Sequence, residues 1–304
     1  MATVHLAWNE DLGCAFALKM LVPDTHGRFT TAAITRLREE GDMLASLRHP
    51  AIPRLHERLE TDAVKALVME PIDGETLDTI TRGDSPPAAV TLLHWAAQLC
   101  DVLTYLHTLS PPVIYRDLKP GNIMENRTEP RISLIDFGNA KRLDPSSRRS
   151  TQTTARGVLT RGFAAVEQYL GGTDARSDIY ALGITLHALA SGHSPPEALA
   201  IANGKASLAD LRTLRPDLPS RLHDAIEAMT QIDRRLRPQD VGEVLAMLAL
   251  DKPDALTATE ALAPDMPPTH ADAPLTARPP ALDAHPTEAV ESAAYDRAHP
   301  ALGQ

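Results

Sequence analysis

The sequence predicts an α+β protein of two unequal lobes, and three observations carry that expectation. Short β-rich runs crowd residues 1–70 around a single helical stretch. Helical periodicity dominates from Ala88 to Leu250. Composition then changes abruptly at Asp251. Strands with one helix, followed mostly by helices, segregate into a sheet layer and a helical body instead of alternating in one parallel sheet.

Thr3 to Trp8, Cys14 to Leu21, Pro53 to Glu60 and Val64 to Glu70 are alternating or β-rich and read as strands. Between the second and third, Thr30 to Leu47 carries Ile34, Leu37, Met43, Leu44 and Leu47 at helical intervals. Further helices are expected over Ala88 to Thr108, Ser177 to Ala190, Pro219 to Gln231 and Val241 to Leu250, punctuated by Gly and Pro. Residues 1–70 thus form a small lobe and 71–250 a larger helical one. Residues 251–304 hold nine Pro and fourteen Ala, no Phe, Trp or Ile, and nine acids against three bases. Such a segment cannot bury enough apolar surface to offset its ordering entropy, so a disordered tail is expected.

Composition narrows the function classes. With 43% apolar residues in 304, the chain can build a substantial core. A net charge of -10 argues against nucleic acid or an anionic membrane as the main partner. Two cysteines, Cys14 and Cys100, give no disulfide framework and point to a reducing, cytoplasmic setting. Ile179 to Ala190 is too short to span a bilayer and contains His187, and MATVHLAWNEDLG lacks the basic and apolar regions of a signal peptide.

The chemistry concentrates in VIYRDLKPGNIM, Val113 to Met124, and in IDFG, Ile135 to Gly138. A bland loop needs turn formers, but it has no use for an Asp, a Lys two residues on and an Asn five residues on. Asn122 and Asp136, on neighbouring short strands, can converge on a hard cation, since Mg²⁺ takes one or two protein oxygens and fills its other positions with phosphates and water. Asp117 is then left to accept or orient a hydroxyl, and Lys119 to neutralise charge on a phosphoryl group in transit.

YRDLKPGN followed by an intact DFG resembles the catalytic loop and metal-binding turn of eukaryotic-type protein kinases, in their bacterial flavour. The resemblance covers residues 1–250 and implies a two-lobed protein-kinase-like fold, with a small antiparallel sheet lobe and one long helix above a larger helical lobe. It implies transfer of the ATP γ-phosphoryl group to protein Ser or Thr hydroxyls, with ATP and Mg²⁺ or Mn²⁺ as cofactors. Lys119 stands where serine/threonine kinases carry Lys.

Further motifs follow in the family's order. FALK resembles the third-strand VAIK, so Lys19 is expected at the α and β phosphates, with Ala17 and Val4 lining the nucleotide. Glu40, nine residues before His49, takes the place of the helix glutamate that pairs with this lysine. LVMEPIDG resembles the hinge, with Met69 as gatekeeper and the backbone of Glu70 and Ile72 facing adenine. TRGFAAVEQY resembles the segment ending in APE, with Val166 in place of Pro and Glu167 retained. SDIYALG supplies Asp178 to brace the catalytic loop, and DRRLRP supplies Arg237 as the partner of Glu167. Arg116 implies an activation loop held through a phosphorylated residue, with Thr151, Thr153 and Thr154 the expected acceptors, whereas Thr160 implies a positional contact with Asp117 and Lys119. Tyr115 replaces the commoner His beneath Phe137 and fills the same volume if its hydroxyl finds a partner.

The departure lies at the N-terminus. Met1 to Val4 aligns with the end of the glycine-rich loop, Ala2 standing at the third glycine, so the first strand and most of that loop are missing from this sequence. Two readings compete: a serine/threonine kinase whose start lies upstream, or a pseudokinase or signalling scaffold with weak turnover. A small-molecule phosphotransferase of the aminoglycoside type shares the Asp, Asn and Asp core, but lacks this activation segment. Protein substrates, and a dimer for autophosphorylation, complete the expected partners.

Overall fold

In a computed structural model, residues 2–82, 86–143 and 159–249 are described. The expected tail and the candidate acceptors Thr151, Thr153 and Thr154 lie outside the described residues.

Strands β1 (Ala2–Asn9) and β2 (Cys14–Leu21) pair antiparallel from Asn9↔Cys14 to Ala2↔Leu21, closed by a turn with Gly13 at φ 62°. With β3 (Leu55–Glu60) and β4 (Lys65–Met69) they make a four-stranded antiparallel sheet in the order β1-β2-β4-β3. The period of two sets the chemistry. Val4 lies opposite Lys19 and Leu6 opposite Ala17, so all four side chains share one face of the sheet.

Helix α1 (Thr31–Ser46) is capped by Thr30, whose hydroxyl accepts the amide of Ala33. Its Leu37, Met43 and Leu44 are buried in the core. Glu40 sits on the same buried stripe at 4% exposure, an energetically costly place for a carboxylate unless it is paired.

A short strand β5 (Gly74–Thr76) and helix α2 (Leu77–Ile80) lead into the helical lobe. Helix α3 (Ala89–Thr108) buries Leu92, Trp95, Leu99, Leu103 and Leu106. Strands β6 (Val113–Ile114), β7 (Ile123–Asn126), β8 (Ile132–Leu134) and β9 (Lys141–Arg142) follow, with β5-β7-β8 and β6-β9 forming two small sheets. These carry the loops around Asp117 and Asp136.

After α4 (Val166–Leu170), helix α5 (Ala175–Ser191) is apolar almost all round, the mark of a central buried helix. Asp174 caps its start through the amide of Arg176, and Gly192 ends it at φ 71°. Helices α6 (Ala198–Ala202), α7 (Leu211–Leu214), α8 (Ser220–Met229) and α9 (Val241–Met247) surround it. Gly183 lets α8 approach α5: a Cβ there would lie 2.6 Å from the Met229 Cβ.

The long elements fall where the sequence places them. Helix α9 ends at Met247, short of the expected Leu250.

Candidate active site

Lys19 projects from β2 and Glu40 from α1, and they meet at 2.6 Å between Nζ and Oε1, with side chains 13% and 5% exposed. Lys19 Nζ also donates to Asp136 Oδ1 at 3.0 Å. Burial works against the Lys19 ammonium, but the charges of Glu40 and Asp136 outweigh it and hold its pKa above the ordinary value. The Glu40 carboxyl is pushed up, burial being the largest cause and Lys19 opposing it. Burial would also raise Asp136, yet Lys19 and the Gly138 amide bring it below the usual carboxylate range.

Asp117, 6% exposed, lies at the second focus. Its Oδ1 accepts from Thr160 Oγ1 at 2.6 Å and from Lys119 Nζ at 3.2 Å. Its Oδ2 accepts from Lys119 Nζ at 3.0 Å, Asn122 Nδ2 at 3.0 Å and Asn139 Nδ2 at 3.2 Å. Lys119 further donates to Thr160 Oγ1 at 2.7 Å. Asn122 spends its amide nitrogen on Asp117, both main chain and side chain, which leaves its carbonyl oxygen for a cation. Asp136 uses Oδ1 for both Lys19 and the Gly138 amide, and Oδ2 carries neither bond.

The donor set suits Mg²⁺: one carboxylate and one amide oxygen, hard and few, with the remaining positions left to phosphate and water. Among the described residues no group of three or more His, Cys, Asp or Glu could hold a metal by itself.

The loop that carries Asp117 is fixed from beneath. Arg116 adopts φ 71°, a region that non-glycine residues enter only when the surroundings compel it. Asp178, fully buried on α5, accepts the amides of Tyr115 and Arg116, both at 2.8 Å, and His107 Nε2 at 2.9 Å. Gln168 on α4 donates to the Arg116 carbonyl at 2.9 Å. Tyr115 packs edge-on against Phe137, with centroids 5.1 Å apart at 72°. Its buried hydroxyl lies against the Asp136 main chain but makes no well-formed hydrogen bond, so the ring fills the space while the polar tip is only weakly satisfied.

The segment after Thr160 is anchored by Glu167, which receives Arg237 Nη1 at 2.6 Å, Arg237 Nη2 at 3.1 Å and Ser177 Oγ at 2.9 Å. Arg237 is 2% exposed, lies 4.8 Å over the Tyr180 ring, and donates to three main-chain carbonyls. Gly162, at φ 84°, brings this segment against Pro195, whose carbonyl oxygen a Cβ would meet at 2.5 Å.

Met69 is buried at the end of β4, with Glu70 and Ile72 just beyond it. The Glu70 amide donates to the Arg54 carbonyl at 2.8 Å, so it is spoken for within the protein. Gln168 and Ser177 escaped the sequence reading, as did Asn139 and His107. Asn139 looks like an ordinary turn residue after DFG, and His107 like an exposed residue in the last turn of α3. No local spacing ties either to the loop it serves.

Comparison with known proteins gives the family. A family model described as the protein kinase domain matches residues 1–263. Serine/threonine-protein kinase PknB of Mycolicibacterium smegmatis is 30% identical over 97% of this chain and 46% of its own length. Serine/threonine-protein kinase pkn2 of Myxococcus xanthus is 30% identical over 82% of the chain and 31% of its own. The chain thus spans less than half the length of these relatives. In fold it resembles the PknI kinase domain of Mycobacterium tuberculosis, with a TM-score of 0.60 at 23% identity, covering 82% of this chain and 90% of that one. The apo form of PpkA-294 gives a TM-score of 0.65 at 21% identity, over 81% and 91% of the two chains. With the family match running through both lobes and across the Lys19, Asp117 and Asp136 cluster, the chain belongs to the protein kinase family.

Proposed function

We propose that this chain is a bacterial-type serine/threonine kinase that passes the γ-phosphoryl group of ATP to a protein hydroxyl. The observation that carries the reading is the joint seating of Asp117, Lys119 and Thr160 beside the Lys19, Glu40 and Asp136 cluster. A lone carboxylate in a turn would not gather four donor atoms from three separate segments.

Each residue has a task that its surroundings support. Lys19, held charged by Glu40, neutralises the α and β phosphates, and Val4 and Ala17 share its face of the sheet as the apolar cover for adenine. With the Glu70 amide already bonded to Arg54, the Glu70 carbonyl and the backbone of Ile72 beyond Met69 supply the polar contacts to the base. Asn122 and Asp136 offer the oxygens that would hold Mg²⁺ or Mn²⁺, which when bound neutralises charge on the phosphates and aligns them. Asp117 orients the acceptor hydroxyl and takes its proton at Oδ1, and Lys119 faces the charge that shifts toward the leaving oxygens.

Arg116 stands in the position that, by the family resemblance, receives a phosphorylated activation-loop residue, and this supports Thr151, Thr153 or Thr154 as sites phosphorylated in the active kinase, by a second copy in a transient dimer. Among the described residues no helix is long and apolar enough to cross a membrane. The cytoplasm, where ATP and reduced cysteines coexist, is the proposed location.

The test is transfer of label from γ-labelled ATP with Mg²⁺ to a generic acceptor protein and to the chain itself. Label on Ser or Thr that disappears with Asp117→Asn supports the reading, while equal labelling of wild type and Asp117→Asn rejects it.

A further inference from the structure

The turn that carries Asp136 and Gly138 continues directly into Asn139, whose side-chain amide reaches across to Asp117 Oδ2 at 3.2 Å. We propose that Asn139 is a positioning residue. It fixes which oxygen of Asp117 faces the acceptor hydroxyl, and it ties that orientation to the placement of the Asp136–Gly138 turn. The inference rests on the phosphotransfer reading above and deepens it.

The two oxygens of Asp117 live in different company. Oδ2 is claimed by two side-chain amides, Asn122 at 3.0 Å and Asn139 at 3.2 Å, together with Lys119. Oδ1 carries no amide; its donors are the Thr160 hydroxyl at 2.6 Å and, at the longer distance of 3.2 Å, Lys119. An oxygen has about two lone-pair sites, so Oδ2 with three donors is over-filled, whereas the two donors on Oδ1, a hydroxyl and a long ammonium contact, both belong to side chains that can yield to an acceptor hydroxyl. A protein hydroxyl seated for transfer therefore donates to Oδ1.

Asn122 and Asn139 do not do the same job. Asn122 sits five residues from Asp117 in one loop and also donates to the Asp117 carbonyl at 2.9 Å, so its hold is local. Asn139 comes from the other side of the site. It reaches Asp117 while Asp136 Oδ1 accepts the Gly138 amide at 3.0 Å and Phe137 is packed on Tyr115. If the turn swings away, the amide leaves with it and Oδ2 loses its cross-site donor. Base orientation and metal-ligand placement are thereby set together, through a side chain that acts on Asp117.

The test compares wild type, Asn139→Ala, Asn139→Asp and Asp117→Asn, measuring kcat, KM for ATP, KM for a peptide acceptor, and Tm. Asn139→Ala is expected to lower kcat about tenfold, in line with one hydrogen bond to a charged group, with KM for ATP within about twofold and Tm unchanged. Asn139→Asp keeps the shape but sets a second carboxylate against Asp117, and should fall further than Asn139→Ala. Wild-type kcat in Asn139→Ala overturns the proposal. So does a loss that tracks Tm or KM for ATP, or an Asn139→Asp variant more active than Asn139→Ala, because each marks shape or folding instead of donation. Equal transfer by wild type and Asp117→Asn brings down the kinase reading itself, and this inference with it.

Discussion

The buried carboxylate of Asp178 accepts the backbone amide of Arg116 at 2.8 Å, and Arg116 is held at φ 71°. A left-handed non-glycine residue costs on the order of 1 kcal/mol or more, so the loop bearing Asp117 keeps this shape because α5 enforces it. Asp178→Ala removes the acceptor from two amides and His107 at once. The expected outcome is a fall of at least about a hundredfold in turnover and a destabilisation of about 3 kcal/mol, from buried donors left unpaired. Steady-state kinetics and a urea titration check both; a variant with near-native activity would mean the loop holds its own shape.

The Glu167–Arg237 pair is the second brace. Arg237 is 2% exposed and fully hydrogen-bonded, so removing one partner strands a buried charge. Arg237→Ala should destabilise the helical lobe by about 3–5 kcal/mol. Replacing both partners with apolar residues of similar size should recover part of that loss, and a double-mutant cycle by chemical denaturation measures it.

How much of this the sequence carries depends on the range over which each residue acts. Lys19, Glu40, Asp117, Asn122 and Asp136 are legible because their roles fix spacing along the chain, and the spacing survives in the letters. Asn139 and His107 act across the fold on residues far away in sequence, so nothing nearby marks them. Strands of two or three residues, such as β6 and β9, exist through pairing rather than propensity and leave no periodicity to read. The Tyr115 hydroxyl shows the reverse limit: ring volume is predictable from residue type, but whether a polar tip finds a partner is decided by packing.

Asp174 makes a pH-dependent contribution with a definite sign. Burial would raise its pKa, but its bonds to Arg176 and the charge of Arg234 hold it below the ordinary 3.8. A depressed carboxyl stabilises the fold above its unfolded value and loses that contribution as pH falls through its native value. Asp174→Ala should therefore lower Tm at neutral pH, and the gap from wild type should close in acid. Thermal melts across pH check the convergence; a gap independent of pH would remove charge from the explanation.

The two cysteines should behave as opposites. Cys14 is exposed at the β1–β2 turn, whereas Cys100 is buried on α3 and burial pushes its thiol up to about 12. A thiol reagent at neutral pH should label one site in the native protein and two after denaturation. Native labelling of Cys100 would show that α3 opens in solution.

The most direct measurement of the central claim is phosphoryl transfer from γ-labelled ATP in Mg²⁺, comparing wild type with Asp117→Asn while nucleotide binding is followed in parallel. The account predicts that Asp117→Asn binds nucleotide as wild type does and loses transfer by a factor on the order of 10² or more. Undiminished transfer in that variant, or none from the wild type under conditions where nucleotide is bound, would contradict it.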